Sequence, residues 1–500
     1  MKRKILGNAA AQILPLSFAI FDRIVLLAVL VRAMGPETYG DWVTLYSAAS
    51  LMALAEFGMG VYFGNRWQQA NAVSDPVQLQ RYLSLSLAVY ACLCAMLSIG
   101  LILFAAFAPL HELLALSAVA DHEATVIMSA LGLVIVLRML RGSVSQLYRG
   151  MQRFARGTLI SEIPNMTWAL VVLSLALLDM PLVGLALGGL AVELFFAAPL
   201  MVLDIKRSFP SLRLLPKLPS RQELADIVRL CKWFAVVQGA PNLWLQIPIL
   251  YTSRFAEGAI ALVGFVSMRV LANFVRTLIE LFMRSFSVEV MPMYHRGETE
   301  ALNRYLMLFG VLSAGLSATM MGVLTHYAAP LLTLWTGRPD VYDPVVLALL
   351  LVPTAMVVPV LPLRMIFEFA NTPQISATAY LLQLGLMVLA LLVLPVSDPV
   401  LRIALALALG ETIGFLGFML IRINRLIQLR LGRYLALCLA VFAAVYALAW
   451  GAGWLSSQVI PPEGALGFTL SIALLLGLML PPILGAGYWM NRRRHIGKAG

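Results

Sequence analysis

Charge is what this sequence is short of. Asp, Glu, Lys and Arg make up 12% of its 500 residues, against 61% apolar, and a water-soluble domain carries roughly twice that charged share. A chain so poor in charge cannot clothe itself in groups that water solvates, which excludes an ordinary soluble protein. Cysteine is nearly missing too. Cys92, Cys94, Cys231 and Cys438 lie in or beside apolar stretches with no CxxC spacing, so neither a disulfide framework nor a thiolate metal site is indicated. His111, His122, His295, His326 and His495 are scattered at loops and ends without metal-ligand spacing. No GxxxxGK[ST] loop is present to cradle a nucleotide, and no GxSxG to present a nucleophile. Nothing calls for a metal or cofactor, and the chain does not read as an enzyme.

What is there is length in apolar runs. A bilayer-crossing helix needs about 20 apolar residues, and such stretches fall at 5–31, 41–64, 82–108, 122–147, 158–178, 182–204, 228–251, 259–291, 302–326, 344–363, 374–395, 400–421, 434–455 and 465–490. The expectation is an all-α polytopic membrane protein of about 14 transmembrane helices. Basic residues test the count, because cytoplasmic loops retain Lys and Arg. With the N-terminus inside, cytoplasmic segments hold 24 of the 36 cations, Arg364 among them, and the outside turns hold Arg32, Arg254, Arg338 and Arg402. Both termini are therefore expected in the cytoplasm. Basic loops beside anionic lipid account for the net charge of +11 without nucleic acid. MKRK precedes the first apolar run as in a signal peptide, but the run is too long, contains Asp22 and Arg23 and lacks a small-residue cleavage site; it reads as a retained helix.

Loops are short except IKRSFPSLRLLPKLPSRQELADI at 205–227. This Pro-, Ser- and cation-rich stretch divides six spans from eight. The first span leaves through VRAMGPETYGDW and the seventh through SRFAEGAIALVGF, a weak similarity of the kind left by internal repeats. The expected organisation is a six-helix lobe at 1–205, a basic cytoplasmic linker at 206–227, a second six-helix lobe at 228–423, and an added helix pair with a basic tail at 424–500.

Against this background RVLANFVRTLIELFMRSFSVEVM, at 269–291, stands out. Arg269, Arg276, Glu280 and Arg284 fall within about 80° of one another on a helix, forming a stripe roughly 22 Å long, with Glu289 on the far side. A charge at mid-bilayer costs about 2.5–3.5 kcal/mol, so the stripe is expected to face protein or a water-filled cavity. Arg276, Glu280 and Arg284 at spacing four could simply neutralise one another; the surplus of cations suits an anionic ligand instead. Asp22 and Arg23 are neighbours within the first span and project about 100° apart. Glu56 lies deep in the second span beside Gly58 and Gly60, where close helix approach is the alternative to a functional role. Arg138 and Arg141 lie toward the cytoplasmic part of the fourth span, where snorkelling to headgroups is the commoner explanation and a place in a cavity the other. Gln238, Asn242 and Gln246 form a polar stripe on the seventh span next to Pro241 and Pro248, fit for interhelical bonding or for sugar hydroxyls at a bend. Glu193 and Glu411 read as isolated acids in the sixth and twelfth spans. With Asp22 and Glu56 they are the candidate coupling-ion sites.

VRAMGPETYGDWVTLYSAASLMALAEFGMGVYFGNRWQQA resembles the first-to-second-helix signature of the polysaccharide transporter, O-antigen flippase-like, family of the multidrug/oligosaccharidyl-lipid/polysaccharide (MOP) exporter superfamily. LYRGMQRFARGTLISEI is similar to its fourth-to-fifth-helix loop and MPMYHRGETEALNRYL to its eighth-to-ninth. The resemblance implies a flippase that moves a polyprenyl-pyrophosphate-linked oligosaccharide across a bacterial inner membrane by alternating access, beside other polysaccharide-assembly proteins. Arg269, Arg276 and Arg284, with Arg23, Arg138 and Arg141, would meet the pyrophosphate, and Asp22 and Glu280 stand among them. Two rivals remain. A drug antiporter of the same superfamily would want an acidic cavity, and an integral-membrane glycan polymerase or ligase would want a larger outside loop than AAPLLTLWTGRPDVYD.

Overall fold

The computed structural model describes residues 18, 21–295, 298–364, 373–426 and 430–479, with side chains described for these except at 22–24, 72, 154, 230, 281–295 and 424–426. Among the described residues there is no strand, and ten helices are long and apolar enough to cross a membrane. Helices satisfy every backbone group within their own segment, which is what a hydrocarbon surrounding demands. They sit where the apolar runs lie: Pro76–Phe107 for 82–108, Asp121–Gly150 for 122–147, Pro344–Arg364 for 344–363 and Pro399–Ile423 for 400–421. Several overrun the apolar stretch by a turn, since a helix continues until something local stops it.

Starts are written locally. Asp75, Asp343 and Asp398 each accept a first-turn backbone N–H, and Pro76, Pro344 and Pro399 follow at the first helical position, where the missing proline N–H costs nothing. The seventh-span helix, Arg221–Phe255, opens on a capping box between Ser220 and Glu223. Glu223 also accepts from Arg81 Nη2 at 2.5 Å. The Ser220 backbone N–H and that guanidinium hold the Glu223 carboxyl down to about 2, from an ordinary 4.5. A depressed carboxylate stabilises above its unfolded value and ceases to as pH falls through the folded one. The linker is docked beside this pair: Lys217 N–H donates to Ser84 O, and Gln80 brackets the Arg213 backbone through both ends of its amide. Proteolysis within 209–220 is therefore expected to be unchanged from pH 7 to 5 and to rise modestly between pH 4 and 2. The step is small because this exposed pair is screened by solvent.

By their contacts the helices form two units. The first takes in Met1–Ser267 and Phe367–Phe418, the second Met268–Ile366 and Met419–Gly500. Phe63, Trp67, Tyr90 and Tyr148 are fully buried in the core of the first, clustered with Phe209. At its edge the Asp41 carboxylate, buried at the start of the second span, accepts the backbone N–H groups of Ser117, Ala118 and Val119, pinning the loop that precedes the fourth span. In the second unit the helix Leu431–Val459 runs against Thr299–Thr336. Tyr327 OH hydrogen-bonds Ser456 and Ser471 hydroxyls at 2.7 and 2.6 Å. A Cβ on Gly322 would stand 2.6 Å from Ala449 Cβ, so the added helix pair is held by close approach and by polar bonds, the usual cement between helices in lipid.

The second span departs from a continuous run. It consists of a helix Pro36–Ser50, a 3-10 turn Leu51–Glu56 and a helix Met59–Ala72. Between them Phe57 and Gly58 are both left-handed, φ 51° and 70°. Glu56 makes the break tolerable: its carboxylate accepts Gly58 N–H at 2.8 Å, Gly60 N–H at 2.6 Å and Tyr90 OH at 2.5 Å, satisfying donors that the interrupted helix leaves over. Gly58 is required twice. A side chain there would be strained at that φ, and its Cβ would fall 2.5 Å from Phe234 Cβ and 2.8 Å from Phe234 C. Gly58→Ala is expected to lower stability by about 1–3 kcal/mol, read as thermal unfolding in detergent. A Gly60→Ala change, at ordinary helical φ, carries no backbone strain but sets a Cβ 2.9 Å from the Glu56 carboxylate that caps the break; a smaller loss there than in Gly58→Ala assigns the difference to strain and to the Phe234 clash.

Candidate functional site: an arginine-lined cavity in the first unit

The fourth span carries Arg138 and Arg141 one turn apart. In lipid such a pair must reach water, headgroups or an anion. Here it reaches an anion. Arg138 Nε lies 2.9 Å and Arg141 Nη2 3.4 Å from Glu193 Oε1. Snorkelling is thereby replaced by a buried cluster, and Glu193 is no isolated acid: its side chain is 1% exposed, that of Arg141 7%. Glu193 opens a π-helical turn, Glu193–Ala197, inside the sixth span. Such turns widen the helix locally and recur at functional positions.

The fifth span, Phe154–Leu177, completes the cluster. Asn165 Oδ1 accepts from Arg141 Nη2 at 2.5 Å, and Asn165 Nδ2 donates to Glu162 Oε2 at 3.3 Å. The Arg138 guanidinium stacks 4.5 Å over the Trp168 ring and donates to Tyr46 OH at 3.3 Å. Arg141 Nη1 is buried with no hydrogen-bond partner among the described residues. A cavity of about 270 Å³ opens on this group, lined by Tyr46, Arg138, Arg141, Ser161, Asn165 and Trp168 with Phe18 and Gly142. Both arginines are in its wall and neither Glu193 nor Glu162 is. The acids sit behind, orienting the guanidiniums and offsetting their burial, while the surface offered to a ligand is cationic, aromatic and rich in hydrogen-bond donors. That surface suits a phosphate.

No protein-family model matches the sequence, and no curated protein matches it. Solved structures do. A multidrug resistance MATE family transporter of the MOP superfamily, inward-facing, superposes with a TM-score of 0.60 at 15% identity, over 83% of this chain and 98% of that one. The eukaryotic MATE transporter AtDTX14 gives 0.61 at 14%, over 89% and 98%. Lipid II flippase MurJ, inward closed, gives 0.60 at 12%, over 96% and 98%. The chain shares the fold of these structures. The all-α fold of about 14 transmembrane helices expected from the apolar runs fits these structures.

Other candidate residues lie elsewhere in the fold. In the second unit Glu280 meets Arg364, Nη2 to Oε1 at 3.4 Å. Arg269 is buried and Arg276 half-buried; the side chains of Arg284 and Glu289, like those of Asp22 and Arg23, lie outside the described residues. Arg364, counted from sequence as a loop cation, is helical, with its side chain 12% exposed. Asn242 Nδ2 donates to Ser50 O at 2.8 Å, Gln246 donates to Asn242, and Gln238 is exposed. The seventh-span stripe is thus partly spent on the irregular second span. Glu56 is engaged in the break described above. Glu411 is buried and lies in another π-helical turn, Gly410–Gly417, the first span having one at Phe21–Leu26.

Sequence reasoning named Arg138, Arg141 and Glu193 but not their association, and missed Tyr46, Glu162, Asn165 and Trp168. One signal was available. Glu162, Asn165 and Trp168 recur every three residues, placing two polar groups and an amphipathic ring on neighbouring positions of an otherwise apolar span.

Proposed function

We propose that this protein is a flippase for a lipid-linked oligosaccharide on a polyprenyl pyrophosphate carrier, working by alternating access in a bacterial inner membrane with both termini cytoplasmic. The observation that carries the reading is the cavity wall: Arg138 and Arg141 face the space while Glu193 is buried behind them. A pyrophosphate needs guanidinium forks in a place of low dielectric, whereas the prenyl tail is at home in lipid throughout. Arg269, Arg276 and Arg284 add cations along the eighth span, and the stripe ending at Gln238 offers partners for sugar hydroxyls. Export of an O-antigen or another surface polysaccharide is the process this substrate belongs to. The lobes are 1–205 and 228–423, joined by the docked basic linker. With no nucleotide loop in the sequence, an ion gradient through Asp22, Glu56, Glu193 or Glu411, or consumption of the product outside, supplies the driving force.

The named neighbours include both drug transporters and a lipid flippase, so fold alone does not choose between them. The cationic wall favours the flippase, because a cationic drug would be repelled by it. The test is translocation of a fluorescent short-chain prenyl-pyrophosphate oligosaccharide in proteoliposomes, with a lipophilic cationic dye as the second substrate. Movement of the glycolipid alone supports the reading; movement of the dye alone overturns it.

A further inference from the structure

Behind the cavity wall of the first unit, the sixth span presents a glycine where the fifth presents a tryptophan. A Cβ on Gly189 would stand 2.4 Å from Trp168 Nε1, and 3.1 and 3.2 Å from Cδ1 and Cε2 of the same ring. Non-bonded atoms rest at about 3.5–4.0 Å, so no side chain fits there. The edge of the indole lies directly on the backbone of the sixth span. Trp168 is 6% exposed, and its Nε1 has no hydrogen-bond partner among the described residues. The ring is therefore not held for its N–H. What this position uses is the aromatic face, and tryptophan offers a cation the best one.

That face carries Arg138, whose guanidinium stands 4.5 Å from the ring. The same guanidinium gives its Nε to Glu193 at 2.9 Å. Arg138 is thus gripped from two helices at once, the fifth through Trp168 and the sixth through Glu193. Glu193 follows Gly189 by four residues, one turn along on the same face of the sixth span. Both grips reach one guanidinium only while the indole is seated against that face, and the seat is Gly189. Its neighbour Gly188 has another setting. A Cβ there would meet Leu175 Cδ1 at 2.4 Å, the far end of a side chain that is not in the cavity wall.

We infer that Gly189 is a positioning residue for the anion site: its missing side chain sets how closely the Trp168 indole approaches the sixth span, and that approach fixes Arg138 in the cavity wall. The inference rests on the flippase reading, since it takes a pyrophosphate as the anion that Arg138 meets. A methyl group at 189 drives the indole off the sixth span by about 1 Å. Arg138 then keeps either its stacking or its ion pair at full strength, and its fork is no longer held in one orientation. Two-pronged contact to a phosphate depends on that orientation.

The experiment is equilibrium binding of farnesyl pyrophosphate to the purified full-length protein in nanodiscs, with thermal unfolding of each variant recorded beside it. G189A is expected to weaken binding about tenfold. G188A makes as close a clash one residue away, and is expected to lower the unfolding temperature with binding unchanged. W168F should lose only a few-fold, because phenylalanine is the weaker partner for a cation. Phenylalanine lacks the five-membered ring that meets residue 189, so G189A/W168F should bind like W168F and more tightly than G189A. The effect passes through Arg138, so G189A/R138Q should bind no more weakly than R138Q. Unchanged binding in G189A together with a loss in R138Q overturns the positioning role and leaves the flippase reading standing; no loss in R138Q or R141Q overturns both. Equal losses of binding in G188A and G189A, or a further loss in G189A/R138Q, overturn the route through Trp168 and Arg138. Where G189A does not accumulate, G189A/W168F decides: binding at the level of W168F supports the role, and failure of that variant to accumulate overturns it.

Discussion

Glu193→Gln is expected to be the most damaging single replacement in the first unit, lowering stability by about 3–5 kcal/mol. The carboxylate is 1% exposed and serves two guanidiniums. Gln keeps its shape and one acceptor but removes the charge, leaving Arg138 and Arg141 close together with their burial no longer offset. The measurement is thermal unfolding in detergent together with abundance in the membrane. E193Q/R141Q should recover part of the loss, because one guanidinium is then removed with the acid that balanced it. A double variant no more stable than E193Q would mean that the cost lies in packing at the π turn and not in charge.

Arg138→Gln and Arg141→Gln should behave in the opposite way. Each leaves Glu193 paired with one guanidinium, while Glu162 keeps its Asn165 hydrogen bond, so the protein is expected to accumulate close to normally. What goes is a cation in the cavity wall. A charge-assisted contact to phosphate contributes about 1.5–3 kcal/mol, so affinity for a prenyl pyrophosphate should fall about 10- to 150-fold per replacement. Translocation should fall with it. Lys at either position should restore only part of the binding, since an ammonium lacks the planar fork and at 138 also loses much of the stacking on Trp168. Abundant variants with unchanged binding and transport would refute the cavity as the anion site.

The contrast follows from which partner is shared. A buried carboxylate with two arginines tolerates the loss of either arginine better than the arginines tolerate the loss of the acid. The sequence alone suggested no such asymmetry. It presented Arg138 and Arg141 on one span and Glu193 on another as unrelated liabilities, with headgroup snorkelling the commoner account of the first two. Arg364 likewise read as a loop cation because it follows an apolar run directly, where basic residues usually mark the cytoplasmic boundary. The second span read as continuous because AEFGMG is apolar enough to cross a membrane. The break came from Glu56, whose carboxylate could take over backbone donors only once Tyr90 and Phe234 were packed beside it.

Membrane residence, the helical class, the placement of the spans and their caps were determined by the sequence by itself, because hydrocarbon penalises every unpaired backbone group and every stray charge within the segment that carries it. Asp-Pro at a span entry or 20 apolar residues in a row act locally, and need no partner from elsewhere in the chain. The cavity, the acid behind the arginines, the pairing of Arg364 with Glu280 and the break at Phe57 were decided only by tertiary structure. Each depends on which face of one helix meets which face of another, across 52 to 84 positions of chain for the ion pairs. Small residues and interhelical hydrogen bonds set those meetings in a membrane, where apolar surface gains little by turning away from apolar lipid.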